Sequence, residues 1–175
     1  MKPSFVPQEL GQNILIVLDE CPACLDMVYV LVGGLSALAQ RHYTLVYCCA
    51  LFQNEDKTTP HAAETVQEAF GSLEAEEREF RLAQQYLYQA TDILHTAGVP
   101  HTHIRIARAI GSDSLVGAIA AELGRGCYTG LVVRQFHRDM VHGLQCSGIM
   151  DMFGRIPNTV IWVIPADTPA LSAAV

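Results

Sequence analysis

Residues 13–19, NILIVLD, form a run of apolar side chains, rich in β-branched residues, that ends in the carboxylate of Asp19. A continuous apolar run of this length is typical of a strand that is covered on both faces, as in a parallel sheet. A helix is predicted directly after it, since apolar residues recur at helical spacing and Pro22 stands where a first turn tolerates proline. The apolar positions of this helix are Leu25, Val28, Val32, Leu35 and Ala39.

Four more strand patterns follow along the chain. They lie at residues 43–52, 101–107, 130–133 and 159–164. The pattern at 101–107, HTHIRIA, alternates polar and apolar residues, so we expect it near an edge of the sheet. The other three are mostly apolar, as expected of strands that have helices on both faces.

Helix patterns separate these strands. The longest begins at the capping pair Thr59 and Pro60 and ends at Gly98, with an interruption considered at Gly71. Its apolar stripe is Phe70, Leu73, Phe80, Ala83, Leu87, Ala90 and Leu94. A capped helix after GSDS has its inward positions at Leu115, Ile119 and Leu123. A short helix near residues 148–153 precedes the last strand.

This order of elements predicts an α/β fold of Rossmann type, a doubly wound five-stranded parallel sheet with helices on both faces. At 175 residues, half of them apolar, the chain can bury one core, so we expect a single domain over residues 1–175. The core spans about residues 13–164, and residues 165–175 are expected to form a loosely ordered tail. In such sheets, ligands bind outside the carboxyl ends of the strands.

Charge and composition exclude several classes of function. The net charge is -7 and the one dense charge run, at residues 74–79, is acidic, so a nucleic-acid partner is not expected. The start of the sequence has no signal-like core, and the longest apolar run, at residues 27–39, is too short to cross a bilayer. We therefore expect a cytoplasmic protein, not bound to a membrane, that keeps its six cysteines reduced.

Three segments and their order resemble the universal stress protein domain: NILIVLDE, HTAGVPHTHIRIARAIGSDSLVGAIAAELGRGCYTGLVV and IPNTVIWVI. The resemblance covers residues 13–164. It implies a stress-response or signalling protein that forms a homodimer through the region of the fifth strand. It also implies that Asp19 contacts the base and sugar region of a nucleotide, and that Cys48, at the end of the second strand, lies against the adenine.

ATP-binding members of that family carry G-x2-G-x9-G-[ST] after the fourth strand, and this chain departs from that motif. The matching positions are Gln135, Arg138, Gly148 and Ile149, or, if the alignment slips by one residue, Arg134, His137, Ser147 and Gly148. Glycines at these places let backbone amides approach the phosphates. Where such a glycine is left-handed, another residue costs about 1 kcal/mol or more and fills the space of the phosphate. ATP binding of the family type is therefore not expected.

Two interpretations of the loop after the fourth strand stay open. Its basic side chains could bind ATP, AMP or another anion directly, since charge-assisted bonds to phosphate are strong. These side chains are Arg134, Arg138, His137 and His142. They are equally consistent with a solvated surface loop. Asp19 likewise suits either a nucleotide contact or a cap for the first helix.

The cysteines raise a third hypothesis. Cys21 and Cys24 form a C-x-x-C pair between a strand and a helix, a context in which a thiol pKa can fall and redox chemistry becomes accessible. Asp19 and Glu20 disfavour a thiolate there, and the continued parallel order of strands does not match a thioredoxin. The structural alternative is that both cysteines are small buried hydrophobic residues.

The predicted fold also gathers potential metal ligands. Cys48 and Cys146 would lie with Cys21 and Cys24 at one crevice, together with the histidines of the loop, and such a set could bind zinc. Cys127 falls at the opposite end of the sheet, where we expect a structural role. His101 and His103 share one face of their predicted strand and could bind metal together. With no third ligand nearby in sequence, ordinary surface histidines are favoured for that pair.

No catalytic motif is present in the sequence: it contains no serine elbow, no H-E-x-x-H and no P-loop. The carboxylates of the long helix suggest a solvated face, so an enzyme is not predicted. Three hypotheses remain: a dimeric stress protein that needs no ligand, a divergent nucleotide or anion binder, and a thiol or metal site.

Overall fold

A computed structural model describes residues 11–19, 21–47, 66–108, 115–134 and 159–164. Strands and helices alternate along these residues. The strands are β1 (Asn13–Leu18), β2 (His42–Tyr47), β3 (Ile104–Arg108), β4 (Gly130–Arg134) and β5 (Val160–Ile164). The helices are α1 (Ala23–Gly34), α2 (Val66–Thr96) and α3 (Leu115–Arg125), with 3-10 turns at Leu38–Gln40 and His101–His103.

The strands form one five-stranded sheet in the order β3-β2-β1-β4-β5. All neighbouring pairs are parallel, with Ile14 opposite Tyr43 of β2 on one side and Gly130 of β4 on the other. The chain winds outward from β1 in one direction through β2 and β3, and in the other through β4 and β5. The doubly wound parallel fold predicted from the sequence is confirmed, and the strand order reverses between β1 and β4.

The core has two layers because side chains of each strand alternate between the faces of the sheet. Ile14, Ile16 and Leu18 of β1 pack in the cluster that includes buried residues of α1 and α2. Leu15 and Val17 pack on the other face, in the cluster that includes α3. This two-sided burial explains why the opening run of the sequence is apolar at every position.

The buried face of α1 is broader than the predicted stripe. The helix ends at Gly34, and its buried residues are Cys24, Met27, Val28, Val30 and Leu31. Ala39, which was expected to extend the stripe, lies in the following 3-10 turn and is exposed. Of the predicted stripe, Val28 and Leu35 are buried, and Leu25 and Val32 pack against the core, so Ala39 is the member that departs from the prediction.

Helix α2 runs without interruption from Val66 to Thr96, so the break considered at Gly71 does not occur. Its predicted start at Thr59 and Pro60 lies outside the described residues. Gly98 ends the helix as expected, with φ +96° and its N–H donating to the carbonyl of His95 at 2.9 Å. Phe80, assigned to the buried stripe, is instead 55% exposed.

Strand β3 is at an edge of the sheet, as its alternating pattern predicted. It begins only at Ile104, because residues 101–103 form a 3-10 turn. His101 and His103 therefore do not share a strand face, which corrects that prediction. Among the helices described, none is long and apolar enough to cross a membrane.

Candidate functional site

The carboxyl ends of β1 and β4 are joined by a buried ion pair at the point where the strand order reverses. The guanidinium of Arg134 donates to Oδ2 of Asp19 from Nη2 at 2.9 Å and from Nε at 3.2 Å. Asp19 is 5% exposed and Arg134 is 7% exposed. This is the place where a doubly wound sheet holds its ligand, and here it contains two protein charges that neutralise each other.

The second carboxylate oxygen of Asp19 is also engaged. Oδ1 accepts the backbone N–H of Cys21 at 2.9 Å. Helix α1 begins later, at Ala23, and its N-cap position is Pro22, which makes no side-chain cap bond. Asp19 therefore orders the turn before the helix and does not cap the helix as one interpretation of the sequence proposed.

Burial and charge act in opposite directions on Asp19. Burial raises the pKa of this carboxyl, while the Arg134 charge and the hydrogen bonds from Cys21 and Arg134 lower it, and the net shift is upward. Without the Arg134 charge, no cation would offset the rise that burial causes in the pKa of Asp19. The ionised form of Asp19 therefore depends on Arg134.

Two aromatic side chains, from β2 and α2, pack near the carboxyl end of β1. The rings of Tyr47 and Tyr86 stack at a centroid distance of 6.2 Å, and the Tyr47 hydroxyl donates to Oε1 of Glu79 at 2.7 Å. Burial raises the pKa of Tyr86, and the nearby Cys24 is the next largest cause of the rise. Tyr47, Tyr86 and Cys24 belong to one buried cluster.

Cys24 is fully buried, and Cys21 is half-buried; both are free thiols. Burial is the main cause that raises the pKa of Cys24, to about 12, and the Asp19 carboxylate adds to the rise. A thiol with this pKa stays protonated near neutral pH, so Cys24 has the character of a small apolar residue. The geometry thus provides no activated thiolate at Cys24.

Several predicted site residues lie outside the described residues. These are Cys48, Gln135, His137, Arg138, His142, Cys146, Gly148 and Ile149. The glycine-motif positions and the zinc crevice therefore stay predictions. Within the described ranges, no group of three or more His, Cys, Asp or Glu side chains is arranged to hold a metal ion. Cys127 lies at the opposite end of the sheet, as predicted, and is exposed; its carbonyl accepts Nδ2 of Asn13 at 3.0 Å.

The fold has counterparts among solved structures. A crystal structure of a universal stress protein family member from Burkholderia pseudomallei matches 91% of this chain and 99% of its own, with a TM-score of 0.52 and 13% sequence identity. The chain has the universal stress protein fold. A crystal structure of a universal stress protein in complex with cAMP matches 89% of this chain and 97% of its own, at a TM-score of 0.46 and 15% identity. A scan of family models and a search of curated proteins gave no match.

In this universal stress protein fold, sequence analysis placed Asp19 at the site but missed its partner. Arg134 was grouped with the basic residues of the following loop, whereas it is the last residue of a fully buried strand. The signal was available: Asp19 and Arg134 each follow directly on a buried run, and β1 and β4 are neighbours in a doubly wound sheet. Two opposite charges at adjacent buried strand ends are expected to pair. The Tyr47–Tyr86 stack had no comparable signal, since it depends on the position of α2.

Proposed function

We propose that this protein is a non-catalytic stress-response or signalling protein of the universal stress protein type, without ATP binding of the family type. The resemblance in sequence and the shared fold support the class. The observation that carries the second part is the Asp19–Arg134 ion pair. The carboxylate that the resemblance assigns to the base and sugar of a nucleotide already has protein partners on both oxygens.

Separating Asp19 from Arg134 to admit a nucleotide would cost free energy. A nucleotide that used Asp19 would have to displace Arg134 and leave a buried charge without compensation. Separating a buried ion pair in this way typically costs about 3–5 kcal/mol. Since about 1.4 kcal/mol corresponds to a factor of ten, the expected loss is roughly two to four orders of magnitude in affinity. We expect the Tyr47–Tyr86 stack to add a steric obstacle for an adenine ring.

The experiment is a calorimetric titration of ATP and of AMP into three proteins: wild type, Arg134→Met, and the double variant Asp19→Asn/Arg134→Met. The proposal expects no saturable binding to the wild type up to millimolar nucleotide. Binding that appears only in Arg134→Met supports it, because that variant frees Asp19. Wild-type binding at micromolar nucleotide that is lost in Arg134→Met would contradict it and establish the anion-binding alternative.

We further propose that the protein works as a homodimer formed through β5. This strand is at the edge of the sheet opposite β3, and Ile161 and Val163, which pack against the cluster that includes α3, are only half-buried. An apolar edge strand is a template for pairing with another chain. Light scattering after gel filtration tests this: Val163→Lys should give a monomer. Ile106→Lys on the edge strand β3, where Ile106 is 51% exposed, should stay dimeric. A monomeric wild type would overturn the assembly.

A further inference from the structure

Two histidines meet at the amino end of the sheet, far from the Asp19–Arg134 pair. His42 is the first residue of β2, and His103 is the last residue of the 3-10 turn that precedes β3. Tyr43 of β2 lies opposite Ile104 of β3 in the parallel register. His42 directly precedes Tyr43 and His103 directly precedes Ile104, so the two histidines lie side by side. Their ring centroids are 4.2 Å apart, with the ring planes inclined by 39°. The fold thus fixes two imidazoles side by side.

A second histidine pair extends from the same turn. His101, two residues before His103, stacks on His95 of the last turn of α2, with centroids 3.9 Å apart and planes inclined by 19°. Three of the four histidines are exposed and His103 is half-exposed. Four of the seven histidines in the chain therefore gather on one surface, contributed by β2, α2 and the turn before β3.

A backbone contact fixes the orientation of one ring. Nδ1 of His103 lies 3.0 Å from the carbonyl oxygen of Ala39. A carbonyl oxygen can only accept a hydrogen bond, so Nδ1 must carry the proton. In the neutral ring, Nε2 then carries the lone pair. Histidines that bind metal are usually held in this way, with one nitrogen donating to a carbonyl and the other directed to the ion.

We propose that His42 and His103 form a binding site for a divalent transition-metal ion of the Zn²⁺, Ni²⁺ or Cu²⁺ type. Imidazole is a ligand suited to these ions. The protein supplies two nitrogens, and water fills the remaining coordination positions, which is consistent with the exposure of the pair. His95 and His101 extend the same surface. This site does not depend on whether a nucleotide binds at Asp19.

The most direct test uses the unmodified protein. Ni²⁺ is titrated while the carbon-bound imidazole protons are followed by NMR, since a paramagnetic ion broadens the resonances nearest to it. We expect saturable broadening that begins at His42 and His103, then reaches His95 and His101, before it affects His61, His137 or His142. Broadening that starts at His137 and His142 would place the ion in the predicted cysteine crevice and overturn the proposal. Uniform, unsaturable broadening would also overturn it.

Variants provide a second measurement with a matched control. His103→Gln and His42→Gln should each weaken Zn²⁺ binding, measured by calorimetry, by roughly tenfold or more. Mutation of groups that only support a metal ligand already causes losses of this size. Cys24→Ala, at a buried position, should leave it unchanged. Equal affinity in wild type and His103→Gln, with both proteins shown to be folded by circular dichroism, would contradict the assignment. If His103→Gln does not fold, the NMR titration of the wild type decides alone.

Discussion

Nη2 of Arg134 lies 2.9 Å from Oδ2 of Asp19, and this buried contact ties the carboxyl end of β4 to that of β1. It occupies the position where a doubly wound sheet offers its ligand site. We expect two consequences that can be measured separately: the pair stabilises the join between the two halves of the sheet, and it competes with an external anion for the site.

Arg134→Met should strongly destabilise the protein at neutral pH, because it leaves the Asp19 carboxylate buried without its cation. Loss of one partner of a buried pair typically costs about 3–5 kcal/mol in the free energy of unfolding. The double variant Asp19→Asn/Arg134→Met removes both charges and should recover a large part of that loss. Urea denaturation of wild type, both single variants and the double variant gives the coupling energy. If the loss of unfolding free energy in the double variant equals the sum of the losses in the two single variants, a direct interaction is contradicted.

The stability of the protein should fall in alkaline solution through Cys24. Burial raises the pKa of this thiol from 9.0 to about 12. Above pH 9 the unfolded chain loses this proton while the folded protein retains it, so the contribution of Cys24 is complete below pH 9.0 and is lost as the pH rises towards about 12. Unfolding free energies from pH 8 to 11 should therefore decline less steeply in Cys24→Ala than in wild type. Cys127→Ser, at an exposed position, should retain the wild-type slope.

Glu122 joins β3, α3 and the segment before β4. It is buried, and its Oε1 accepts hydrogen bonds from Arg105 and from the Tyr128 hydroxyl, the latter at 2.5 Å. Glu122→Gln replaces an acceptor-only carboxylate with a neutral group and should reduce the free energy of unfolding by about 1.5–3 kcal/mol. Glu77→Gln is the matched control, since its pair with Arg81 is exposed and should contribute less than about 1 kcal/mol. Equal losses in urea denaturation would contradict this ranking.

Gly11 is required for the approach of the chain to β4. Its φ is +56°, and a Cβ atom there would lie 2.2 Å from Oγ1 of Thr129. Thr129 cannot easily move, because Oγ1 accepts the N–H of Asn13 at 3.1 Å. Gly11→Ala should therefore lower the midpoint of thermal unfolding, at a cost above about 1 kcal/mol. Gly124→Ala in α3 meets no atom within 4 Å and should be neutral or stabilising by up to about 1 kcal/mol. A smaller loss in Gly11→Ala than in Gly124→Ala would refute the assignment.

The sequence was sufficient for the fold because its strands are nearly continuous apolar runs, and such runs between helices have few ways to assemble. It was not sufficient where one pattern of polar and apolar residues is compatible with two kinds of secondary structure. The alternation of His101 to Ile104 suits a strand, yet these residues begin with a 3-10 turn. That turn brings His103 beside His42, a contact that depends on strand register and that spacing along the chain does not reveal.

Burial was also ambiguous for individual side chains. Phe80 has the spacing of the apolar stripe of α2, but it is more than half exposed. The sequence analysis assigned Arg134 to the ligand-binding loop, because it weighed this residue by its place along the chain and not by the strand end beside it. Only the adjacency of β1 and β4 brings Asp19 to it.

If Arg134 takes the place of a ligand at Asp19, the protein should carry no bound nucleotide, and its mass under native conditions shows whether it does. The protein is isolated from cells by rapid gel filtration with a chelator present, and its mass under native conditions is compared with its denatured mass. We expect a dimer of the 19.1 kDa chain with no bound nucleotide. An additional mass equal to ATP or AMP, released on denaturation, would contradict it.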